Sequence, residues 1–247
     1  MTRAEWIVQC QTWKKKWPVF QKEWAANDHD HVLNLYAVLE SVNHYASWKH
    51  ILMGDAGSIS YAGPVALKAQ QGQRFIFSPA QADMGWAVPG AIGVALASKQ
   101  TVICITGDGS FMSNMQELAV IRQHNLNVKV IILNNGGYLS IKNTQSKYFE
   151  GRVFGTDNKT GLWFPDFKKV AESFEFDYVK VKTAIDLKQL GDIFDNTRPT
   201  IIDCICTPDQ EILPAQALKN GKQAGLHDMT PFLPDEELQK EMIVKID

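Results

Sequence analysis

Between Glu5 and Trp24 the apolar residues Trp6, Ile7, Cys10, Trp13, Trp17 and Phe20 recur at three- and four-residue spacing. That spacing predicts an amphipathic helix packed on something larger and interrupted near Pro18. The polar run Asp28-His29-Asp30-His31 reads as a solvated loop and N-cap rather than a metal cluster, and a helix is predicted over 32–42. From there apolar runs of strand length alternate with helical periods. Strands are predicted at 51–53, 74–77, 102–106, 128–133, 178–181 and 200–206. Helices are predicted at 64–71, 86–97, 113–124, 166–174 and 184–195. Repeated βα units imply an α/β fold: a doubly wound parallel sheet of about six strands with helices on both faces. The last forty residues carry Pro208, Pro214, Pro231 and Pro234 and read as an extended tail ending in a short helix at 235–242. The expected organisation is a helical docking segment at 1–30, a ligand-binding domain at 31–207 and a C-terminal tail at 208–247.

With 247 residues, 45% of them hydrophobic and 21% charged, the chain is long enough for a real core and far from disordered or low-complexity composition. Lys and Arg total 25 against 27 Asp and Glu, a net charge of −2, which lacks the basic excess that nucleic-acid binding needs. No apolar run approaches the roughly 20 residues that span a bilayer. The first residues lack the apolar core of a secretory signal, so the expected location is cytoplasmic. Four cysteines, at 10, 104, 204 and 206, include no CxxC, and the last three sit in strand-like runs where buried thiols are common.

Ligands of open parallel sheets bind beyond the carboxyl ends of the strands, which directs attention to the loops that follow them. The strand at 102–106 ends in Gly107-Asp108-Gly109-Ser110, where two glycines let backbone approach a ligand and Asp108 offers a hard oxygen. The strand at 128–133 ends in Asn134-Asn135-Gly136-Gly137. Taken singly, the first is a βα turn with an Asp cap and the second a tight turn. One βαβ crossover separates them, so the two corners should land side by side and offer the carboxylate, amide and carbonyl oxygens that Mg²⁺ accepts.

Gly107-Asp108-Gly109-Ser110 followed by Asn134-Asn135 resembles the diphosphate motif of thiamine diphosphate enzymes, and the segment from Ser110 to Leu118 resembles their acetolactate synthase branch. The likeness continues through Val128 to Tyr138. Upstream, Asp83-Met84-Gly85-Trp86 is similar to the family's loop under the aminopyrimidine, Gly54-Asp55-Ala56-Gly57 to its loop near the diphosphate, and the stretch from Trp13 to Trp17 to the start of its last domain. The resemblance implies that Asp108, the Asn135 side chain and the Gly137 carbonyl ligate Mg²⁺, and that Gly107, Gly109 and Ser110 meet the diphosphate. Tyr138 and Leu139 would complete the cofactor pocket. Met84 would hold the bent cofactor, the Ala82 carbonyl would accept from its amine, and Ser58 and Ile59, where the family often has Gln and His, would lie near the phosphates.

The resemblance covers only the diphosphate domain of a family whose members usually add pyrimidine and middle domains. Neither Glu40 nor Glu117 stands where the family places the glutamate that activates the aminopyrimidine. The expectation is therefore a split enzyme, α2β2 in type, in which a second polypeptide brings the pyrimidine domain and its glutamate. The implied activity is decarboxylation of a 2-oxo acid such as pyruvate and ligation of the acyl carbanion to a second carbonyl. Thr144 stands near where biosynthetic acetolactate synthases usually present a tryptophan, which leaves the acceptor open. The alternatives are the β subunit of a two-subunit 2-oxo acid decarboxylase and a non-catalytic cofactor-binding module. An iron–sulfur oxidoreductase chain would need cysteine clusters that four scattered cysteines do not supply.

Overall fold

Isoleucine and valine dominate the central strands because these are buried on both faces. In the computed structural model, which describes residues 1–25, 32–78 and 80–244, two compact units form, Met1–Gln210 and Glu211–Asp247. The first holds six parallel strands: β1 (His50–Gly54), β2 (Phe75–Phe77), β3 (Thr101–Gly107), β4 (Val128–Asn134), β5 (Asp177–Val181) and β6 (Thr200–Ile205). Their order is β2-β1-β3-β4-β6-β5. Side chains alternate across the sheet. Val102, Cys104, Val130, Ile132 and Ile201 join one apolar cluster with residues of α4 (Ala87–Ser98), α6 (Leu118–Gln123) and α8 (Phe167–Ser173). Ile103, Ile105, Ile131 and Ile202, also buried, face the other side.

The connection from β1 through α3 (Ser58–Ala66) to β2 and the one from β2 through α4 to β3 run in opposite directions across the sheet. Right-handed crossovers therefore put α3 and α4 on opposite faces. On the α3 side, α2 (Leu35–Tyr45) packs against both α3 and α9 (Leu190–Asp195). The direction of winding reverses between β1 and β3, which opens a crevice above their carboxyl ends, where such sheets bind ligands.

Several boundaries differ from the sequence expectation for tertiary reasons. The predicted 32–42 helix begins later, at Leu35, because Leu33 bridges Cys206 and its carbonyl accepts from the Thr207 amide; Asn34 then caps the helix by accepting from the Tyr36 amide. Pro64 lies inside α3, whose start is set instead by Gly57 at φ 68° and ψ −136°, a conformation that L residues avoid. Of the predicted 113–124 helix only α6 is α-helical: α5 (Asp108–Ser113) ends where it should begin, Asn114 donates its side chain to the Gly85 carbonyl, and Met115–Glu117 form a 3-10 turn. The predicted 184–195 helix opens as a 3-10 turn at Asp186–Gln189 before α9. A further helix, α7 (Leu139–Tyr148), was not anticipated: only Leu139 is buried, so its sequence is too polar to show a helical stripe.

The N-terminal helix α1 (Arg3–Lys16) forms, capped by Thr2 and closing at Trp17 before Pro18. None of its residues is buried within this chain. The polar run Asp28, His29, Asp30 and His31 lies outside the described residues. Cys104, Cys204 and Cys206 are buried free thiols and Cys10 is half-buried. No described helix is long and apolar enough to cross a membrane.

The second unit is more than an extended tail. Asn220 and Gly221, both at positive φ, turn a small hairpin of β7 (Leu218–Lys219) and β8 (Lys222–Gln223), the geometry that an Asn-Gly pair favours. Lys219 pairs with Asp228 and with Asp235, and the latter residue opens α10 (Asp235–Glu241).

Candidate functional site

Above the carboxyl ends of β1, β3 and β4 lies a cavity of about 220 Å³. Each of the twelve residues singled out from the sequence lines it: Ser58, Ile59, Ala82, Met84, Gly107, Asp108, Gly109, Ser110, Asn135, Gly137, Tyr138 and Leu139. Three helices, α3, α5 and α7, begin at its wall, and none of the three starts is closed by a side-chain cap. Helix starts carry unpaired amides and a partial positive charge, so they draw an anion toward this corner.

Asp108, at the end of β3, is only 1% exposed. One carboxylate oxygen accepts the Gly109 amide at 2.7 Å, and the other accepts the amides of Gly136 at 2.7 Å and Gly137 at 3.0 Å. The neighbouring pairing of β3 and β4, in register from Val102 and Val128 to Gly107 and Leu133, makes this meeting of the two loops possible. Burial pushes the Asp108 carboxyl up to about 6, while the surrounding backbone N–H groups of Gly109, Gly137, Gly136 and Asn135 pull the other way. A cation beside it would favour the charged form.

Close packing fixes where glycine is required. A Cβ on Gly137 would fall 2.1 Å from the Thr156 carbonyl oxygen, whose lone pair already accepts the Tyr138 amide at 2.8 Å. A Cβ on Gly109 would fall 2.1 Å from the Tyr138 ring, which lies directly over the Gly-Asp-Gly corner. Gly107 is different: a Cβ there would meet no protein atom within 4 Å, although the residue lines the cavity. The structure thus leaves room beside Gly107 that a side chain would invade.

The loop carrying Ala82 and Met84 is held by Asp55, which the resemblance placed only in the loop near the diphosphate. Asp55 is 3% exposed; one oxygen accepts the amides of Ala56 and Gly85, and the other accepts the Thr106 hydroxyl at 2.7 Å. Its carboxyl is raised from the ordinary value by burial, against the pull of Thr106 and the nearby amides. Gly85 at φ 83° passes so close to α5 that a Cβ would sit 2.7 Å from Ser113. Met84 is 40% exposed at the rim, and Ala82 adopts φ 52°.

The donor set suits a hard divalent cation: a buried carboxylate, the Asn135 amide at the cavity wall, and the Gly137 carbonyl, mixed oxygen donors of the kind Mg²⁺ takes together with water and phosphate. Uncapped helix starts and the space beside Gly107 suit a diphosphate. Against this geometry the comparisons with known proteins are decisive. The sequence profile of the thiamine pyrophosphate enzyme C-terminal TPP-binding domain matches residues 55–204. The chain belongs to that family.

This TPP-binding domain is 31% identical over 227 residues to an acetolactate synthase large subunit of Cyanidium caldarium, covering 90% of the chain and 37% of the relative. It is 35% identical over 158 residues to an acetolactate synthase of Arthrospira platensis, covering 62% of the chain and 27% of the relative. A mitochondrial acetolactate synthase catalytic subunit of Aspergillus candidus is 25% identical over 240 residues, covering 95% of the chain and 33% of the relative. The chain spans about a third of the length of these relatives.

Not every residue contributes as its position suggested. Ile59 lines the cavity yet is only 1% exposed, and its side chain packs toward Gly54 and Gly63. Sequence reasoning missed Leu35, Tyr61, Ile141, Cys206 and Gln210, which also line the cavity. Cys206 and Gln210 come from after β6, a strand end whose following segment carries no glycine-rich motif. Glu40 bonds Lys68 and Asn43, and neither Glu40 nor Glu117 lines the cavity.

Proposed function

We propose that this TPP-binding domain supplies the diphosphate and metal side of a thiamine diphosphate site in an acetolactate synthase-like enzyme. In this reading Mg²⁺ is held by Asp108, Asn135 and the Gly137 carbonyl, and the diphosphate meets Gly109, Ser110 and the starts of α3 and α7. The single observation that carries it is the joining of Asp108 to the Asn135–Gly137 turn across adjacent strand ends, with carboxylate and amide on one cavity wall.

The cofactor, when bound, supplies an electron sink for the carbanion left by decarboxylation. The chain's own residues do the rest. Asp108 offsets the charge of the cation, and Met84 packs at the rim, where an unbranched apolar side chain supports a bent ligand by contact alone. The Ala82 carbonyl is available as an acceptor for an amine. Among the described residues that line the cavity, Asp108 is the one carboxylate, and this reading assigns it to the metal. The reading therefore includes a second polypeptide that brings the pyrimidine domain and its glutamate, in a cytoplasmic α2β2-type assembly. The reaction is decarboxylation of a 2-oxo acid, with pyruvate the favoured substrate, and ligation to a second carbonyl.

Calorimetry of the chain with thiamine diphosphate and Mg²⁺ tests the site, with binding expected only when both are present. Pyruvate consumption should be minimal for the chain alone and restored by the partner; full turnover by the isolated chain would overturn the two-chain reading. Product analysis with pyruvate and an added aldehyde separates a ligase from a decarboxylase.

A further inference from the structure

A carboxylate buried in the middle of an otherwise apolar strand is costly unless both oxygens are engaged by donors. Asp203, 3% exposed on β6 between Ile202 and Cys204, is such a group. One oxygen accepts the Asn134 side-chain N–H at 2.9 Å, and the other accepts the Tyr178 hydroxyl at 2.8 Å. Asn134 ends β4, and its side-chain oxygen accepts the Gly136 amide at 3.3 Å, an amide that Asp108 also accepts.

A carboxylate only accepts hydrogen bonds, so it decides which end of the Asn134 amide turns toward it. With its NH₂ drawn to Asp203, Asn134 must present its oxygen to Gly136. Tyr178, reaching from β5 on the far side of β6, fixes the Asp203 rotamer. Burial, together with the bond to Asp203, raises the tyrosine hydroxyl well above its ordinary value and keeps it a donor.

We propose that Asp203, clamped by Tyr178, is a positioning residue: through Asn134 and Gly136 it holds the turn that presents Asn135 and Gly137 to the metal. The inference rests on the metal-site reading above and names residues that touch neither metal nor cofactor. Asp203→Leu strands the buried donors of Asn134 and Tyr178 and so costs stability as well as position. The exchanged pair described below, which keeps a donor facing an acceptor, separates positioning from scaffolding.

The experiment follows backbone amides of the full chain by NMR. It compares wild type, Asp203→Leu, Tyr178→Phe and Asp108→Ala during titration with MgCl₂ at millimolar thiamine diphosphate, with thermal unfolding and hydrogen exchange of each apo protein. Asp203→Leu is expected to unfold at a lower temperature than wild type, to speed exchange at Gly136 at least tenfold, and to raise the Mg²⁺ concentration for half-saturation about tenfold. Tyr178→Phe should shift both in the same direction by a smaller factor. A second rescue arm exchanges the partners, Asn134→Asp with Asp203→Asn, which restores a donor–acceptor pair and should recover Mg²⁺ affinity. Unchanged exchange and affinity in Asp203→Leu, with wild type binding and Asp108→Ala not binding, overturns the inference alone. Wild type indistinguishable from Asp108→Ala overturns the metal-site reading and the inference with it.

Discussion

Asp55 accepts the Gly85 amide at 3.0 Å and so anchors the loop of Ala82 and Met84 to the end of β1. The same carboxylate reaches the Thr106 hydroxyl on β3, which makes it a three-way joint beneath the cavity. Replacing it by alanine leaves the Ala56 and Gly85 amides and the Thr106 hydroxyl without their acceptor. We expect Asp55→Ala to cost about 3 kcal/mol in urea unfolding, the usual penalty for stranding buried donors. A loss under about 0.5 kcal/mol would show that water replaces the carboxylate at no net cost.

Asp108→Ala should abolish the Mg²⁺-dependent binding of thiamine diphosphate, because it removes the one formal charge among the protein's metal donors. Asn135→Ala should weaken binding by about tenfold, the scale of one polar contact to a charged group. Calorimetry of the two variants side by side checks the ranking. Equal losses would contradict the division between a charged and an uncharged ligand.

The glycines of the site should separate by what a methyl group meets. Gly107→Ala adds a Cβ with no protein atom within 4 Å, at φ −85°. It should unfold like wild type and yet bind thiamine diphosphate at least tenfold more weakly, since the methyl occupies the cavity. Gly137→Ala drives a Cβ to 2.1 Å from a backbone oxygen and should unfold at lower denaturant as well as lose binding. Undiminished cofactor affinity in Gly107→Ala would place the diphosphate elsewhere.

Lys129 gives the protein a pH signature away from the cavity. Its ammonium is buried under β4, bonded to the Asn196 side chain at 2.7 Å and to the Arg198 carbonyl, and burial lowers it from 10.5 to about 8, partly offset by Asp177. Between those values the unfolded chain holds a proton that the folded chain has released. Folding is therefore favoured more as pH rises through that window and less as pH falls through about 8. Relative to Lys129→Met, wild-type stability should climb from pH 7.5 to pH 10 in urea melts. A constant gap would mean the amine keeps its ordinary proton affinity.

The order of strands and helices was largely legible because buried strands carry continuous apolar runs, as at 130–133, and because Gly-Asp-Gly and Asn-Asn-Gly-Gly punctuate their ends. Where a helix gains its stability from one buried residue, as α7 does from Leu139, the pattern is silent. Where a side chain is taken by a distant partner, as Asn114 is by Gly85, the pattern misleads and the α-helix expected from 113 starts only at Leu118.

Residue types and their spacing define the kind of chemistry on offer: an acid between glycines, an amide pair one crossover later, and a methionine loop upstream. Such motifs are local, and their residue types already limit which atoms can meet a diphosphate or a cation. How those atoms are held emerges from folding alone. Asp55 and Asp203 do their holding across strands that lie far apart in the chain but adjacent in the sheet, and no local spacing encodes which buried donor a carboxylate will face. Parallel pairing brings β1 beside β3 and β4 beside β6, and in doing so turns two ordinary-looking acids into the supports of the site.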